Sequence, residues 1–248
     1  MARAVRNTPR ELAHALWKGW RTRPSTPTFL RELTLLPRLM ARRDHGGLLR
    51  RLERLARAGI PLTVFVTGSF ARGMGDWLTE CRDQGHEIGA HSDRHLALPW
   101  IDPAEARRQI LRCRDEVGRV VERPIAGFRA PFLLWTEPLY AAVAEAGFAY
   151  SSSIYGRQAE RHGPLTELPV VFEDYPHLLA GAGPADVARL LAQLPEAAVL
   201  CLHPYAFFSP GYFEALLEAL RTAPPLRPLS RRLADPSAPA WSITVDLA

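Results

Sequence analysis

Hydrophobic residues along the chain alternate between helical spacing and continuous apolar runs. In residues 46–59, leucines at positions 48, 49, 52 and 55 lie on one helix face, and Gly59 stands where a helix would end. The next stretch, residues 60–68 (IPLTVFVTG), is rich in β-branched residues and is typical of a buried parallel strand. Because this alternation continues along the sequence, it predicts an α/β domain, either a βα barrel or a doubly wound sheet.

The same pattern places the other predicted elements. The helix at 102–121 has the clearest start, with Asp102 at the N-cap and Pro103 in the first turn. Other predicted helices cover residues 75–85, 136–147, 183–194 and 211–222, and other predicted strands cover residues 86–91, 125–131, 198–203 and 241–247.

Candidate polar residues stand at the carboxyl ends of the predicted strands. His91 ends one strand, Arg129 lies at the end of another, and His203 at the end of a third. In βα folds these ends meet at one face, so we expect the three side chains to face one pocket. Glu167 comes just before a further apolar run and is interpreted as an exposed loop residue, with contact to substrate or to Arg129 as the alternative.

The histidines in the stretch HEIGAHSDRH, residues 86–95, form a candidate metal site. His91 and His95 are four residues apart, which lets both imidazoles reach one zinc ion at about 2.0 to 2.1 Å. Catalytic zinc also takes a third protein ligand, for which a carboxylate is expected here, and a water molecule. Neutral imidazole suits cobalt, nickel or iron as well. Without other motifs, exposed histidines in a surface loop would be the more common explanation of such a pair.

Four short motifs in this order carry a family resemblance. The stretches LTVFVTG, GHEIGAHSDRH, GFRAPF and LCLHPYAF, within residues 44–207, resemble the polysaccharide deacetylase family, also called the NodB-homology or carbohydrate esterase family 4 group. The resemblance implies a distorted (β/α)7-type barrel that carries one divalent metal ion, most simply zinc. It also implies removal of an acetyl group from an N-acetylated sugar or a related amide.

The resemblance assigns roles to individual residues. It makes His91 and His95 metal ligands, matches an Arg-x-Pro motif to Arg129-Ala130-Pro131, and matches a Leu-x-His motif, read loosely, to Leu202-His203. We expect His203 to donate a proton to the leaving amine, since expelling an amine requires a general acid. Arg129 is expected to orient a carboxylate or to stabilise the oxyanion.

The first motif of the family departs from its usual form. Family members have two adjacent aspartates, the first a general base and the second a metal ligand, and no Asp-Asp pair occurs in this sequence. The nearest candidate is RRDHGG, residues 42–47. In the preferred register Asp44 is the base and His45 replaces the metal aspartate. In the other register Asp44 is the metal ligand and Arg43, which cannot act as a base, takes the base position.

Two functions therefore follow from the resemblance. The first is a metal-dependent deacetylase that uses Asp44, His203 and Arg129 in catalysis and His91, His95 and His45 as metal ligands. The second is a carbohydrate-binding barrel whose catalysis is impaired by the altered first motif. In either case the expected partner is a carbohydrate or a small amide, and the oligomeric state stays open.

Charge and composition predict a domain boundary and a cellular location. Residues 1–57 hold 14 Arg and Lys against 4 Asp and Glu, whereas the rest of the chain is net acidic. We interpret residues 1–43 as a basic N-terminal segment and residues 44–248 as the barrel. Solvated helix faces explain this charge better than nucleic-acid binding, because no aromatic stacking platform accompanies it. The three cysteines form no disulfide or zinc pattern, and no apolar signal or membrane segment is found, which favours the cytoplasm.

Overall fold

A computed structural model describes residues 44–247, and the predicted N-terminal segment 1–43 lies outside the described residues. The described helices are α1 (His45–Arg57), α2 (Gly68–Gly73), α3 (Gly75–Asp83), α4 (Pro103–Val121), α5 (Glu137–Glu145), α6 (Asp174–Leu179), α7 (Pro184–Leu191), α8 (Pro204–Phe208), α9 (Tyr212–Leu220) and α10 (Leu229–Arg232). The described strands are β1 (Leu62–Val66), β2 (Glu87–Ala90), β3 (Gly127–Phe128), β4 (Tyr150–Ser151), β5 (Glu160–His162), β6 (Leu165–Glu167), β7 (Phe172–Glu173), β8 (Ala198–Leu202) and β9 (Trp241–Leu247).

All the described strands belong to one sheet, in the spatial order β5-β6-β4-β3-β2-β1-β9-β8-β7. Every pairing is parallel except the one between β5 and β6. The short segment 165–173 contains both β6, which pairs with β4, and β7, which pairs with β8. This segment joins the two ends of the sheet, so β6 and β7 count as one position. The result is a distorted barrel with seven parallel positions. The predicted (β/α)7-type fold is confirmed.

The sheet has an outer face packed against helices and an inner face that fills the barrel. On β1, Leu62, Val64 and Val66 belong to the large outer core, whereas Phe65 belongs to a smaller inner cluster. That inner cluster also contains Tyr150, Leu168, Val170, Val199, Cys201 and Leu229. The period of two along the strands therefore separates the two cores, and hydrophobic burial of both faces is the main favourable contribution to folding.

The strand β9, the last in the sequence, occupies a central position in the barrel. It pairs along five positions with β1 on one side and along five with β8 on the other. Consequently β9 fills the position between β1 and β8 in the sheet. The inward-facing residues of β9 include Thr244 and Asp246, whereas Ile243, Val245 and Leu247 lie in the outer core.

Glu167 is fully buried at the end of β6, so its interpretation as an exposed loop residue is wrong. Its Oε1 accepts hydrogen bonds from the backbone N–H groups of Ser153 and Ile154, at 2.7 and 3.3 Å. These N–H groups follow the short strand β4, and the carboxylate accepts the hydrogen bonds that a neighbouring strand would otherwise accept. The pairing of β6 with β4 places this glutamate in the interior, and a single sequence does not reveal that pairing.

The three cysteines, Cys81, Cys113 and Cys201, are buried and free, in agreement with the absence of a disulfide pattern. Within residues 44–247, no helix combines the length and the apolar character needed to cross a membrane.

Gly127 on β3 leaves no space for a side chain unless neighbouring atoms move. A Cβ atom at this position would overlap the ring of Tyr150 in the barrel interior. We expect Gly127→Ala to lower the free energy of unfolding by about 1–3 kcal/mol, because an overpacked interior must shift. Gly75→Ala is the matched control, since its Cβ would meet only Val120 at an ordinary 3.6 Å. Urea unfolding of both variants measures the difference, and equal stabilities would contradict the close packing of β3 on β4.

Candidate active site

The polar residues of the candidate active site lie at the carboxyl ends of the parallel strands. His91 directly follows β2, Arg129 follows β3, Asp174 follows β7, His203 follows β8, and Asp246 stands near the end of β9. Parallel strands of a barrel present these ends at one rim, so the side chains converge there. The predicted convergence of His91, Arg129 and His203 agrees with this arrangement, and the charges of His203 and Arg129 act on His91.

Arg129 is fully buried and its guanidinium connects three strands. Nη1 donates to Thr244 Oγ1 at 2.5 Å and to Asp246 Oδ1 at 3.0 Å. Nε and Nη2 donate to the carbonyl and the hydroxyl of Ser152, each at 2.7 Å. The guanidinium carbon also lies 4.6 Å from the ring centre of Phe65. With its donors fixed in this way, Arg129 holds the carboxylate of Asp246 in one orientation.

Asp246 is the carboxylate that Arg129 orients. Burial opposes its ionisation, but the positive charges of Arg129, His91 and His203 outweigh burial, so the pKa of Asp246 lies below its ordinary value. The other oxygen, Oδ2, lies 3.6 Å from the thiol of Cys201. Sequence reasoning missed Asp246, although one signal was present: a buried strand that ends in a carboxylate, just as β2 is followed by an imidazole.

His203 forms a tight pair with the fully buried Asp174. The Asp174 carboxylate accepts the backbone N–H of His203 at 2.9 Å and lies 2.6 Å from its Nδ1. The other ring nitrogen, Nε2, lies 3.7 Å from Glu173 Oε1. Burial alone would lower the pKa of His203, but the negative charges of Asp174 and Glu173 raise it above the ordinary value. The sequence pattern gave no indication of Asp174, because β7 before it is only two residues long.

His91 and His95 lie side by side at the rim, with ring centres 4.9 Å apart. His91 Nδ1 is 2.9 Å from the backbone carbonyl oxygen of Arg129, an arrangement that makes Nδ1 the donor and leaves Nε2 with its lone pair. Burial lowers the pKa of His91, so its ring is neutral at neutral pH. His95 packs against Phe132, with ring centres 4.3 Å apart. Ser92 and Phe132 both have left-handed backbone, with φ of 67° and 64°, which is uncommon outside glycine.

The two imidazoles fit a borderline divalent ion only in part. A buried, neutral histidine with a fixed tautomer is the usual form of a metal ligand. A catalytic zinc ion, however, takes three protein ligands. Among residues 44–247, no three His, Cys, Asp or Glu side chains are grouped so that they could hold a metal ion. The described residues therefore provide two of the three ligands expected, and a complete site is not assembled from them.

Asp44 and His45 take other positions than the preferred register requires. Asp44 is the N-cap of α1, its carboxylate accepts the N–H of Gly47 at 2.8 Å, and its side chain is 61% exposed. His45 packs edge-on against Phe70, and its carbonyl oxygen accepts the indole N–H of Trp77. The predicted trio of His45, His91 and His95 is therefore not assembled as a metal site among the described residues. The physical reason is that α1 is capped and packed on the outer layer of helices.

Comparison with known proteins confirms the resemblance. Residues 49–151 match the family model described as polysaccharide deacetylase. A chitooligosaccharide deacetylase from a Bradyrhizobium species is 27% identical over 99 residues, which are 40% of this chain and 45% of that protein. The similarity thus spans less than half the length of this relative.

Solved structures show the same fold. A presumed polysaccharide deacetylase from Mycobacterium smegmatis has a TM-score of 0.65 and 24% identity, covering 83% of this chain and 77% of that one. A family 4 carbohydrate esterase pseudoenzyme from Bacillus anthracis has a TM-score of 0.57 and 14% identity, covering 81% of this chain and 59% of that one. At these identities the likeness concerns the fold.

The pairing of Arg129 with Asp246 should contribute strongly to stability. Arg129→Met would leave the Asp246 carboxylate buried without its cation, and we expect a loss of about 3–5 kcal/mol in the free energy of unfolding. Asp246→Asn should also destabilise the fold, because Arg129 then lacks its anion. The double variant should lose clearly less than the sum of the two single losses. Urea unfolding of the four proteins gives the coupling energy, and additive losses would show that the two groups do not interact.

Proposed function

We propose that this chain, which matches the polysaccharide deacetylase family over residues 49–151, hydrolyses the acetamido group of an N-acetylated sugar or a related amide. The observation that carries the proposal is the presence of two paired groups at the barrel rim, Asp246 held by Arg129 and His203 held by Asp174. The pKa of Asp246 is lowered and the pKa of His203 is raised, which is the arrangement expected of a base and an acid working together. The name of the Bradyrhizobium relative supports an oligosaccharide substrate.

Asp246 is proposed as the general base in place of Asp44. Its carboxylate is held ionised by Arg129, so it can accept a proton from the attacking water molecule. Attack of that water on the amide carbon gives a tetrahedral oxyanion. Asp44, by contrast, is an exposed helix cap.

His203 is proposed as the general acid. Asp174 fixes Nδ1, so the transferable proton is carried by Nε2, the nitrogen that faces Glu173. When the carbon–nitrogen bond breaks, the nitrogen takes this proton and leaves as an amine, while the carbon keeps the oxygen of water as acetate. The raised pKa of His203 favours the protonated ring that this step requires.

His91 and His95 are proposed as the protein ligands of a divalent ion, which would polarise the carbonyl and favour ionisation of water. The predicted cytoplasmic location and the use of zinc stay predictions. A second candidate function, a barrel that binds the carbohydrate without cleaving it, follows from the absence of an Asp-Asp pair in the sequence. The metal content of the protein separates the two candidates.

Substitution of the two candidate bases tests the assignment. We expect Asp246→Asn to lower acetate release from tri-N-acetylchitotriose on the order of 10²- to 10⁴-fold, because the general base is lost. Asp44→Asn is the matched control and should leave the rate unchanged. Thermal melting of both variants verifies that they are folded at the assay temperature. A loss confined to Asp44→Asn would restore the original register and contradict the role of Asp246.

Metal content tests the role of the histidine pair. We expect the purified protein, never exposed to chelator, to retain about one divalent ion per chain by elemental mass spectrometry, and His95→Ala to lose it. Since His95 is only half-buried, this substitution should leave the fold intact. If neither protein holds a metal ion, the metal-dependent proposal fails and the carbohydrate-binding barrel becomes the better description.

A further inference from the structure

Tyr155 is the one large hydrophobic side chain among residues 44–247 that is exposed, at 54%. Its backbone is nevertheless firmly held. It forms a parallel bridge with Val170, flanked by hydrogen bonds from Gly156 N to Val170 O at 3.1 Å and from Val170 N to Ile154 O at 2.8 Å. Below this bridge, the buried Glu167 carboxylate accepts the N–H of Ile154. An aromatic ring is therefore kept in water by a rigid piece of backbone.

The position of the ring is fixed as well. The Tyr155 hydroxyl donates to Glu173 Oε2. The other oxygen of the same carboxylate lies 3.7 Å from Nε2 of His203, the nitrogen that carries the transferable proton in the proposed reaction. One carboxylate thus separates the exposed ring from the proposed acid. A ligand that covers Tyr155 would therefore lie close to the proposed general acid.

We propose that Tyr155 is a stacking platform for a hexopyranose ring of the substrate, with Glu173 accepting a hydroxyl of the same sugar. The C–H face of a pyranose is apolar, so packing it on an aromatic ring removes apolar surface of both from water. The edge of the sugar is rich in hydroxyl groups, which a carboxylate accepts. The proposal rests on the proposed function for the location of the reacting bond, and it specifies the substrate as a sugar rather than a small planar amide.

A sugar fits this position better than a protein partner. The exposed apolar surface is a single ring beside a charged carboxylate and an imidazole, whereas protein interfaces bury a much larger area around a hydrophobic centre. A single aromatic platform bordered by polar groups instead matches the dimensions of one sugar unit.

Saturation-transfer NMR with tri-N-acetylchitotriose tests the proposal in one sample, because binding and the methyl signal of free acetate are read from the same spectra. We expect Tyr155→Ala to raise the dissociation constant roughly tenfold or more, since truncation removes the platform. Tyr155→Phe keeps the ring and is the matched control, with a much smaller effect. Because Tyr155 is exposed, both variants should melt at the same temperature as the parent.

The outcomes separate this proposal from the proposed reaction. Binding that depends on Tyr155 in a protein that releases no acetate would support the platform and contradict the deacetylase. Acetate release with a KM unaffected by Tyr155→Ala would support the deacetylase and overturn the platform. Equal losses in Tyr155→Phe and Tyr155→Ala would also overturn it, because the hydroxyl and not the ring would then account for binding. Absence of binding by the parent protein would do the same.

Discussion

The buried guanidinium of Arg129 is the interaction on which the rest of the barrel rim depends. Its donors reach Ser152 after β4 and both Thr244 and Asp246 on β9, while its face lies over Phe65 of β1. Burying such a charge is costly unless it is paired and hydrogen-bonded, so these strand ends are restricted to one arrangement. Even the histidine pair is tied to this residue, since His91 Nδ1 meets the carbonyl oxygen of Arg129.

Local sequence patterns predicted most elements of the fold but not the neighbours of each strand. The helix beginning after Asp102 and the strand ending before His91 follow from capping and hydrophobic spacing, which are properties of nearby residues. The insertion of β9 between β1 and β8 is different, because it depends on pairing between residues far apart in sequence. For that reason the sequence points to Asp44, near the start of the barrel, whereas the carboxylate in contact with Arg129 comes from β9.

The same distinction explains which site residues could be predicted. His91 and His203 follow strands of four and five residues, which are recognisable by themselves. Arg129 follows a strand of only two residues and is predicted through the Arg-x-Pro motif of the family resemblance. Asp174 and Glu167 adjoin strands of two and three residues, which are too short to leave a pattern. Their burial is decided by the segment that joins the two ends of the sheet, and this closure is visible only in three dimensions.

The residues at the rim differ in what their presence says about function. Asp246 neutralises a buried arginine, and Asp174 binds both the backbone and the ring of His203, so each has a structural reason to be there whether or not the barrel is catalytic. The histidine pair with its left-handed neighbours Ser92 and Phe132 is harder to explain by packing alone, because such backbone costs on the order of 1–3 kcal/mol at each position. Tyr155 is harder still, since an exposed ring on a fixed backbone adds little to the core. Retained acid and base groups are therefore compatible with both candidate functions, whereas the exposed ring beside His203 is explained by a ligand in either of them.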